Sequence, residues 1–598
     1  MARFLMRPRT FLQSIRQVNI PGFATFTQRD FQYEDHSHSG TLLNRFSRAI
    51  AEEVSRDAKI VRNSIKYSQF YPVHKQEKFQ KDIQKVDSDQ LSRLIMFTAN
   101  YRGNADIGKI FRVINDLDCE ANDRIRSLEY RDVQELMYMF LYLLPNKITQ
   151  LDFVRSGIEI LLDGFPRNKT KGNFLQICFY LGIFKKSRLH CEQLKDFLKT
   201  HLNDYLSDLD SMQLALVANS AFKASITIPN EDFHERLKAA ILSMDQDVDI
   251  QLLVTFAKSL RHNRVDCMST GILDKIQQLL QSGKIPDVDL RGYTHLLALF
   301  VENRHVPPSF GKYVYEEGMN IISEEHEKSV MRSKDEMYTN PNFRQKDLAT
   351  FLWCITNLPD KIVTKDDATT LTNAILWKLR NYEYKYAYDE FVDTLLSLVM
   401  LGIKSDALFK AFFNDRNFLI PPKNQNRTKL HSKQLLLTTC LQIVAPELVP
   451  KDREQRRRKP IEVPDYLLQK RKHFLNVGQT LKDLQEEFNI VKMELKIPVQ
   501  NINIPSYMIE IETQERQNHV FWIELLDAAS TMSDLVTPTP IVRLKLRLLQ
   551  ALDEDFIVVD TINKESEELK EVLRRAIKEH VSSVNSDAEA EVQKVVTT

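Results

Sequence analysis

Glycine is scarce in this 598-residue chain, at only 15 residues, and the six cysteines form no CxxC pair. So few glycines argue against glycine-rich phosphate-binding loops and against a β-rich fold with many tight turns. The cysteine spacing excludes a zinc ribbon and gives no disulfide framework. The chain therefore fits a reducing interior compartment better than an oxidising one.

Long apolar runs and known catalytic motifs are missing as well. The longest apolar candidate, Leu435 to Ala445, is shorter than the ~18 residues that a membrane span needs, and Thr438 and Thr439 interrupt it. No P-loop, GxGxxG, HExxH, GxSxG or EF-hand pattern occurs. We therefore predict no enzymatic activity, no cofactor, no bound metal, no small-molecule substrate and no membrane span.

The N-terminal segment from Met1 to Arg29 has a composition of its own. It holds five arginines and no acidic residue, and Phe4, Phe11 and Leu12 are among the apolar residues that can share one face of a helix. An arginine-rich, acid-free, amphipathic start is typical of a mitochondrial transit peptide, and a disordered basic arm is the alternative. We expect the protein to lie in the mitochondrial matrix.

The formal charge of +1 depends on that segment. Without its five arginines the chain has 77 basic residues against 81 acidic ones, a net charge of −4. A uniformly basic nucleic-acid binder is therefore excluded, and any RNA contact must come from local patches of positive charge.

The long central part of the chain has the apolar period of helices, with a spaced self-similarity. Helix starts of the form Φ-x-x-Φ-Φ recur at Leu91, Val133, Phe174, Met212, Ile250, Tyr293, Leu348 and Phe391. Two helices per unit of about 40 residues is the format of an α-solenoid, and one irregular helical domain is the alternative. Polar positions that follow these anchors, among them Gln134, Gln176, Gln213 and Gln251, are a weak candidate for a base-reading column.

Positive charge is densest just after this body. Arg453, Arg456, Arg457, Arg458 and Lys459 form one cluster, and Lys470, Arg471 and Lys472 form a second. Clustered cations bind phosphate backbones through counterion release, whereas a linker kept soluble by charge is the alternative. We take these residues as candidate RNA contacts, together with Arg543, Lys545 and Arg547 on a predicted helix further along.

Near the C-terminus the apolar period changes from that of helices to that of strands. Ile509–Glu512 alternates apolar and acidic residues, His519–Leu526 is rich in β-branched and aromatic residues, and Phe556–Val559 is a short apolar strand. A basic helix from about Pro540 and a final helix complete the pattern, and a further helix is expected over Val477–Glu494. Residues 501–585 hold 15 acidic residues against 9 basic ones.

This order resembles the RAP domain, a small C-terminal module of many organellar RNA-binding proteins. The matching features are the acid-containing first strand (IEIET), His519 and Phe521 opening the next strand, the basic helix RLKLRLLQAL, and the short strand before the final helix. Preceded by helical repeats and a presequence, the module looks like those of FAST kinase-like and related RAP families. That resemblance implies action on mitochondrial RNA: processing, stabilisation, translation or ribosome assembly.

RAP domains are similar to the PD-(D/E)xK nuclease fold, which sets a further expectation. That chemistry needs one acid on a strand and Glu-x-Lys on the next. Glu510 or Glu512 could supply the first acid and Glu524 the second, but Leu526 stands where the lysine is needed, and only Lys545 could replace it. An RNA endonuclease is therefore the weakest of three functional hypotheses.

The resulting prediction is a mainly α protein: an α-solenoid followed by a small C-terminal α/β domain of RAP type. The predicted parts are a targeting segment and lead-in (1–40), the solenoid (41–450), a basic linker and connecting helix (451–500), the RAP-like domain (501–585) and a disordered tail (586–598). We expect a non-catalytic mitochondrial RNA-binding protein whose partners are mitochondrial rRNA or mRNA and ribonucleoprotein components. The alternative is a structural subunit of a large assembly such as the mitoribosome.

Overall fold

The protein is mainly helical, with a small five-stranded mixed sheet near its C-terminus. A computed structural model describes residues 76–596 with gaps, the longest at 96–106, 332–342, 415–426 and 451–459, and a few positions between 42 and 53. The helices are α1 (Gln76–Ile83), α2 (Ile107–Arg124), α3 (Tyr130–Leu143), α4 (Asp152–Gly164), α5 (Lys171–Ile183), α6 (Arg188–Tyr205), α7 (Ser211–Ala224), α8 (Glu231–Leu242), α9 (Ile250–His262), α10 (Ile272–Gln281), α11 (Leu290–Glu302), α12 (Pro308–Met331), α13 (Gln345–Ile355), α14 (Lys365–Arg380), α15 (Tyr388–Met400), α16 (Asp406–Asn414), α17 (Arg427–Val444), α18 (Asp465–Lys470), α19 (His473–Asp483), α20 (Pro540–Ala551) and α21 (Ser566–Val596).

The chain divides into two compact units. The first comprises residues 1–240 with 262–264, and the second comprises 241–261 with 265–598. The predicted helical body therefore contributes to both units. Within the described ranges, no helix is both long enough and apolar enough to cross a bilayer.

In the first unit, α5 is the central helix. It packs against α4, α6 and α7, and its residues from Gly172 to Gly182 are all buried. A helix that is apolar on every side needs neighbours on every side. Gly182 allows the closest approach, because a Cβ there would lie 2.6 Å from the Cα of Ser220 on α7.

In the second unit, the helices pack as two alternating rows. One row joins α11, α13, α15 and α17, and the other joins α10, α12, α14 and α16. Alternate packing of this kind buries the apolar face that a single helical pair leaves open. The predicted repeat anchors follow the same alternation: Val133, Phe174, Met212, Ile250, Tyr293, Leu348 and Phe391 lie on α3, α5, α7, α9, α11, α13 and α15.

The sheet has the strand order β1-β2-β3-β4-β5, with β1 (Ile461–Glu462), β2 (Ile490–Ile497), β3 (Ser506–Glu512), β4 (Asn518–Leu526) and β5 (Phe556–Asp560). The first four strands are antiparallel to their neighbours, and β5 is parallel to β4. The connection between the parallel strands β4 and β5 contains helix α20, because parallel neighbours need a long crossover connection. The three strands expected from the sequence therefore form, with nearly the predicted bounds.

One expected element is wrong in its second half. The helix predicted over Val477–Glu494 ends at Asp483, and Ile490 begins a strand that pairs with β3. A register irregularity between Ile490 and Lys492 breaks the regular alternation of β2, which is why its period did not indicate a strand. The sheet thus begins before residue 501, and α21 continues beyond residue 585.

The two faces of the sheet have different contents. Tyr507, Ile509, Phe521 and Ile523 point into an apolar core against α19 and α21. On the opposite face, Glu524 of β4 meets Lys545 of α20, with 2.6 Å between Oε2 and Nζ. Both side chains are almost fully buried, and the Ser506 hydroxyl donates to Glu524 at 2.6 Å and accepts from Lys545.

Because the ion pair is buried, removing one partner alone should destabilise the module more than removing both partners. Lys545→Met should lower the free energy of unfolding of the module by about 3–5 kcal/mol, because Glu524 is left buried and charged. Adding Glu524→Gln should restore most of that loss. Urea unfolding followed by Trp522 fluorescence, in a Trp353→Phe/Trp377→Phe background, measures the free energy of unfolding of each variant. Lys492→Met, which removes a half-exposed lysine of β2, is the matched control, and equal effects of the two lysine variants would contradict the account.

Candidate nucleic-acid interface

Four cations from three helices meet in the second unit. Lys258 and Arg261 are one helical turn apart on α9, Arg291 is the second residue of α11, and Arg344 is the N-cap of α13. We call these four residues the basic cluster. The stacking of successive helices brings them together, since the charges of Arg261, Arg291 and Arg344 all act on Lys258.

The electrostatics of the basic cluster are unfavourable in the protein alone. Burial lowers the pKa of Lys258 to about 7, and the charge of Arg291 lowers it further than any other neighbouring cation. Burial also lowers the pKa of His295 on α11, with the cluster's four cations acting in the same direction. Like charges held close together in a partly buried place cost folding free energy, and an anion placed among them would offset that cost.

Three acids offset part of the positive charge, and one of them is Asp289, the N-cap of α11, whose charge acts on Arg344. Arg261 pairs with Glu302 at 3.1 Å, and Arg344 makes two bonds to Asp347, at 2.6 and 2.8 Å. Four cations against the three carboxylates of Glu302, Asp347 and Asp289 leave a small excess of positive charge. Moreover, Arg261 Nη1 and His295 Nδ1 are buried without a hydrogen-bond partner in the described part of the chain. An unpaired buried polar atom is costly unless a ligand or solvent meets it.

The chemistry of the basic cluster suits phosphate groups. Guanidinium groups present planar forks of N–H donors that match phosphate oxygens, and a neighbouring lysine adds a point charge. Arg291 is exposed and can reach a ligand directly, whereas Lys258 and Arg261 strengthen the potential from beneath. Such a patch gives affinity for a polyanion without selecting its sequence.

The predicted RNA contacts Arg543 and Arg547 lie on α20, but they bind the chain itself. Arg543 donates to the carbonyl oxygen of Leu358 at 2.9 Å and to that of Thr356, just beyond the end of α13. Arg547 donates to the carbonyl oxygens of Val399, at 3.2 Å, and of Met400, the last residues of α15. Helix C-termini carry unpaired carbonyls and partial negative charge, so cations are stabilising there.

The remaining predicted contacts are only partly described. Lys545 is fully buried against Glu524, so its ammonium group is not presented to a ligand. Arg471 lies 3.8 Å from Asp527 and faces the Phe474 ring. Lys470 lies in α18, and its side chain is outside the described part. Arg453, Arg456, Arg457, Arg458, Lys459 and Lys472 are also outside the described residues.

The glutamine column has a structural role in the first unit. Gln134, Gln176 and Gln213 are buried, with Gln134 donating to Asn173 and Gln176 to the carbonyl oxygen of Gln134. These amides link neighbouring helices, and buried amides of this kind do not face a base. Gln251 is exposed.

The acids proposed for nuclease chemistry do not converge. Glu524 lies beside Ser506, whereas Glu510 pairs with Val520, four residues along the strand. At a rise of about 3.3 Å per residue, that is a separation of roughly 13 Å. Glu524 binds Lys545 there, as a divergent nuclease would require, but neither Glu510 nor Glu512 can share a metal ion with it.

No protein-family model matches the chain, and no curated protein is detectably similar to it. The side-chain geometry therefore carries the functional inference. Sequence reasoning missed the basic cluster, because Lys258 and Arg344 are far apart along the chain and lie in segments of mixed charge. The spacing of Lys258 and Arg261 on a helix was the one available signal.

The basic cluster leads to a prediction about the free energy of unfolding. Lys258→Met should raise the free energy of unfolding by about 1 kcal/mol or more at pH 7, because it removes a buried charge and keeps the stem. The gain should be largest below pH 7 and shrink towards pH 10. Between the folded pKa of about 7 and the unfolded pKa of 10.5, the unfolded state binds more protons, so wild-type stability rises with pH.

Thermal and urea unfolding at several pH values measure this difference. Lys312→Met is the control, because Lys312 is an exposed lysine of α12. It should change stability little at any pH. A destabilised Lys258→Met, or a difference that grows towards pH 10, would contradict the assignment.

Proposed function

We propose that this protein binds RNA without catalysing a reaction, and that the basic cluster supplies the central phosphate contacts. The observation that carries the proposal is the excess of positive charge on α9, α11 and α13, together with the unpaired buried Nη1 of Arg261 and Nδ1 of His295. Folding tolerates this cost where a polyanion relieves it.

The C-terminal module has a positioning role in this proposal. Arg543 and Arg547 fix α20 to the ends of α13 and α15. Arg304, just after α11, donates to the carbonyl oxygen of Ala528 at 2.8 Å, and its own carbonyl accepts from the amide of Ser533. The module thus contacts the ends of three helices of one row. It holds in place the helices that carry Arg291 and Arg344.

A mitochondrial setting is the part of the proposal that rests on sequence. The acid-free, arginine-rich segment from Met1 to Arg29 and the resemblance to RAP modules both support it. The cations at 453–459 lie in the linker before the module and would extend the phosphate contact. Processing, stabilisation, translation and ribosome assembly are the classes of RNA function that the resemblance implies.

Binding of a fluorescently labelled single-stranded RNA, followed by anisotropy, tests the proposal. Arg291→Met should weaken the affinity by about 3- to 10-fold, through loss of a phosphate contact. Arg575→Met removes another exposed arginine, from α21, and should leave the affinity unchanged. Equal affinities of all three proteins, or equal losses in both variants, would overturn the assignment of the interface.

The second candidate is a structural subunit of a large mitochondrial assembly such as the mitoribosome. The net charge of −4 beyond Arg29 favours it, since near-neutral surfaces suit protein contacts. Sedimentation of organelle extracts with and without RNase separates the two candidates. A free particle that shifts on RNase treatment supports RNA binding by a separate factor, and steady co-migration with ribosomal subunits supports the structural role.

A further inference from the structure

Three ligand-type side chains converge where strands β4 and β5 begin, against helix α21. His519 is the second residue of β4, Asp555 directly precedes β5, and His580 lies on α21. The two histidine Nε2 atoms are 3.3 Å apart, and each lies 3.1 Å from Asp555 Oδ2. The three atoms therefore form a nearly equilateral triangle.

We propose that His519, Asp555 and His580 bind one divalent transition-metal ion, with zinc as the principal candidate. In a tetrahedral zinc site with bonds of about 2.0–2.1 Å, ligand atoms are separated by about 3.3 Å. Two imidazoles with one carboxylate on one face of an octahedron, as ferrous iron prefers, need about 3.0 Å. The observed triangle meets both requirements, and the ligand types suit both ions.

The fold holds the three side chains in this arrangement. The amide of Trp522 donates to the carbonyl oxygen of Asp555 at 2.8 Å, which places Asp555 beside Phe521 in the parallel register. Phe521 in turn stacks on His519, with 5.7 Å between ring centroids, and contacts His580 at 4.7 Å. The rings are therefore set by β4, β5 and α21 together, and one aromatic side chain packs against both histidines.

The environment allows an ion to enter and to be bound. The side chain of His580 is 10% exposed, that of His519 is 21% exposed and that of Asp555 is 42% exposed. Three protein ligands leave at least one coordination position for water or another oxygen ligand, as in open zinc sites.

Elsewhere in the described residues, no other group of three such side chains comes within ligand distance. His473 and Asp527 provide the internal comparison, because they lie 3.1 Å apart like the histidine–aspartate contacts of the triangle. Besides His473, the partners of Asp527 are the cation Arg471, at 3.8 Å, and the Ser530 hydroxyl, so a histidine–aspartate contact does not by itself bring in a second histidine. A second histidine whose Nε2 points to the same place is what a shared metal ion accounts for. The inference does not depend on RNA binding.

Zinc titration of the full-length, chelator-treated protein by calorimetry tests the site. The wild type should bind one equivalent of Zn²⁺ that Asp555→Asn loses. The remaining affinity should fall by more than the ~10- to 100-fold typical of losing an outer-shell partner. His473→Ala should retain the wild-type equivalent. Equal zinc binding by wild type and Asp555→Asn would overturn the proposal.

Two further measurements keep the test independent of folding defects. Zinc should raise the thermal midpoint of the wild type and of His473→Ala but not that of Asp555→Asn or His519→Asn, because binding to the folded state stabilises it. Substitution with Co²⁺ should give visible ligand-field absorption, intense for a tetrahedral site and weak for an octahedral one. A cobalt spectrum that is the same in the wild type and in both triangle variants would contradict the site.

Discussion

Helix α20 lies between two surfaces that need positive charge for different reasons, and the C-terminal module depends on both contacts. Arg543 and Arg547, one turn apart, bind the carbonyl ends of α13 and α15. Lys545 points the other way and satisfies the buried Glu524 beneath the sheet. Charge-assisted hydrogen bonds contribute about 1.5–3 kcal/mol each, and more is lost when one partner is removed from a buried place. The same short helix therefore stabilises the sheet and joins it to the helical rows.

Positive charge in the second unit thus serves two purposes. The exposure of each cation and its ion-pair partners show which purpose it serves. The cations of α20 meet fixed acceptors of the chain, so they lower the free energy of the folded state. In the basic cluster, the cations outnumber the acids, and burial lowers the pKa of Lys258 to about 7. That arrangement lowers stability and retains binding capacity, which is the usual compromise at functional sites. Counting basic residues in the sequence does not separate the two groups, since it shows neither which cations have partners nor which come together in the fold.

Local periodicity predicted much of the fold, and long-range packing decided the rest. Apolar spacing placed the repeat anchors on alternate helices. Alternation placed β3, and runs of apolar, β-branched and aromatic residues placed β4 and β5, within a few residues. It missed β2, where the register irregularity after Ile490 hides the strand period. For the sites, sequence reasoning found clusters close along the chain, such as Arg543 with Arg547. It could not find the basic cluster or the triangle of His519, Asp555 and His580, because stacking and parallel pairing create both.

The most direct test is the salt dependence of RNA affinity. It separates the cations of the basic cluster, which contact RNA in this account, from those of α20, which hold the module in place. Each phosphate contact that is lost should reduce the slope of log affinity against log salt concentration by about 1. The account predicts a shallower slope for Lys258→Met/Arg291→Met and an unchanged slope, with reduced module stability, for Arg543→Met. A slope that falls in Arg543→Met while the double variant keeps the wild-type value would contradict the account, because α20 would then be the surface that binds RNA.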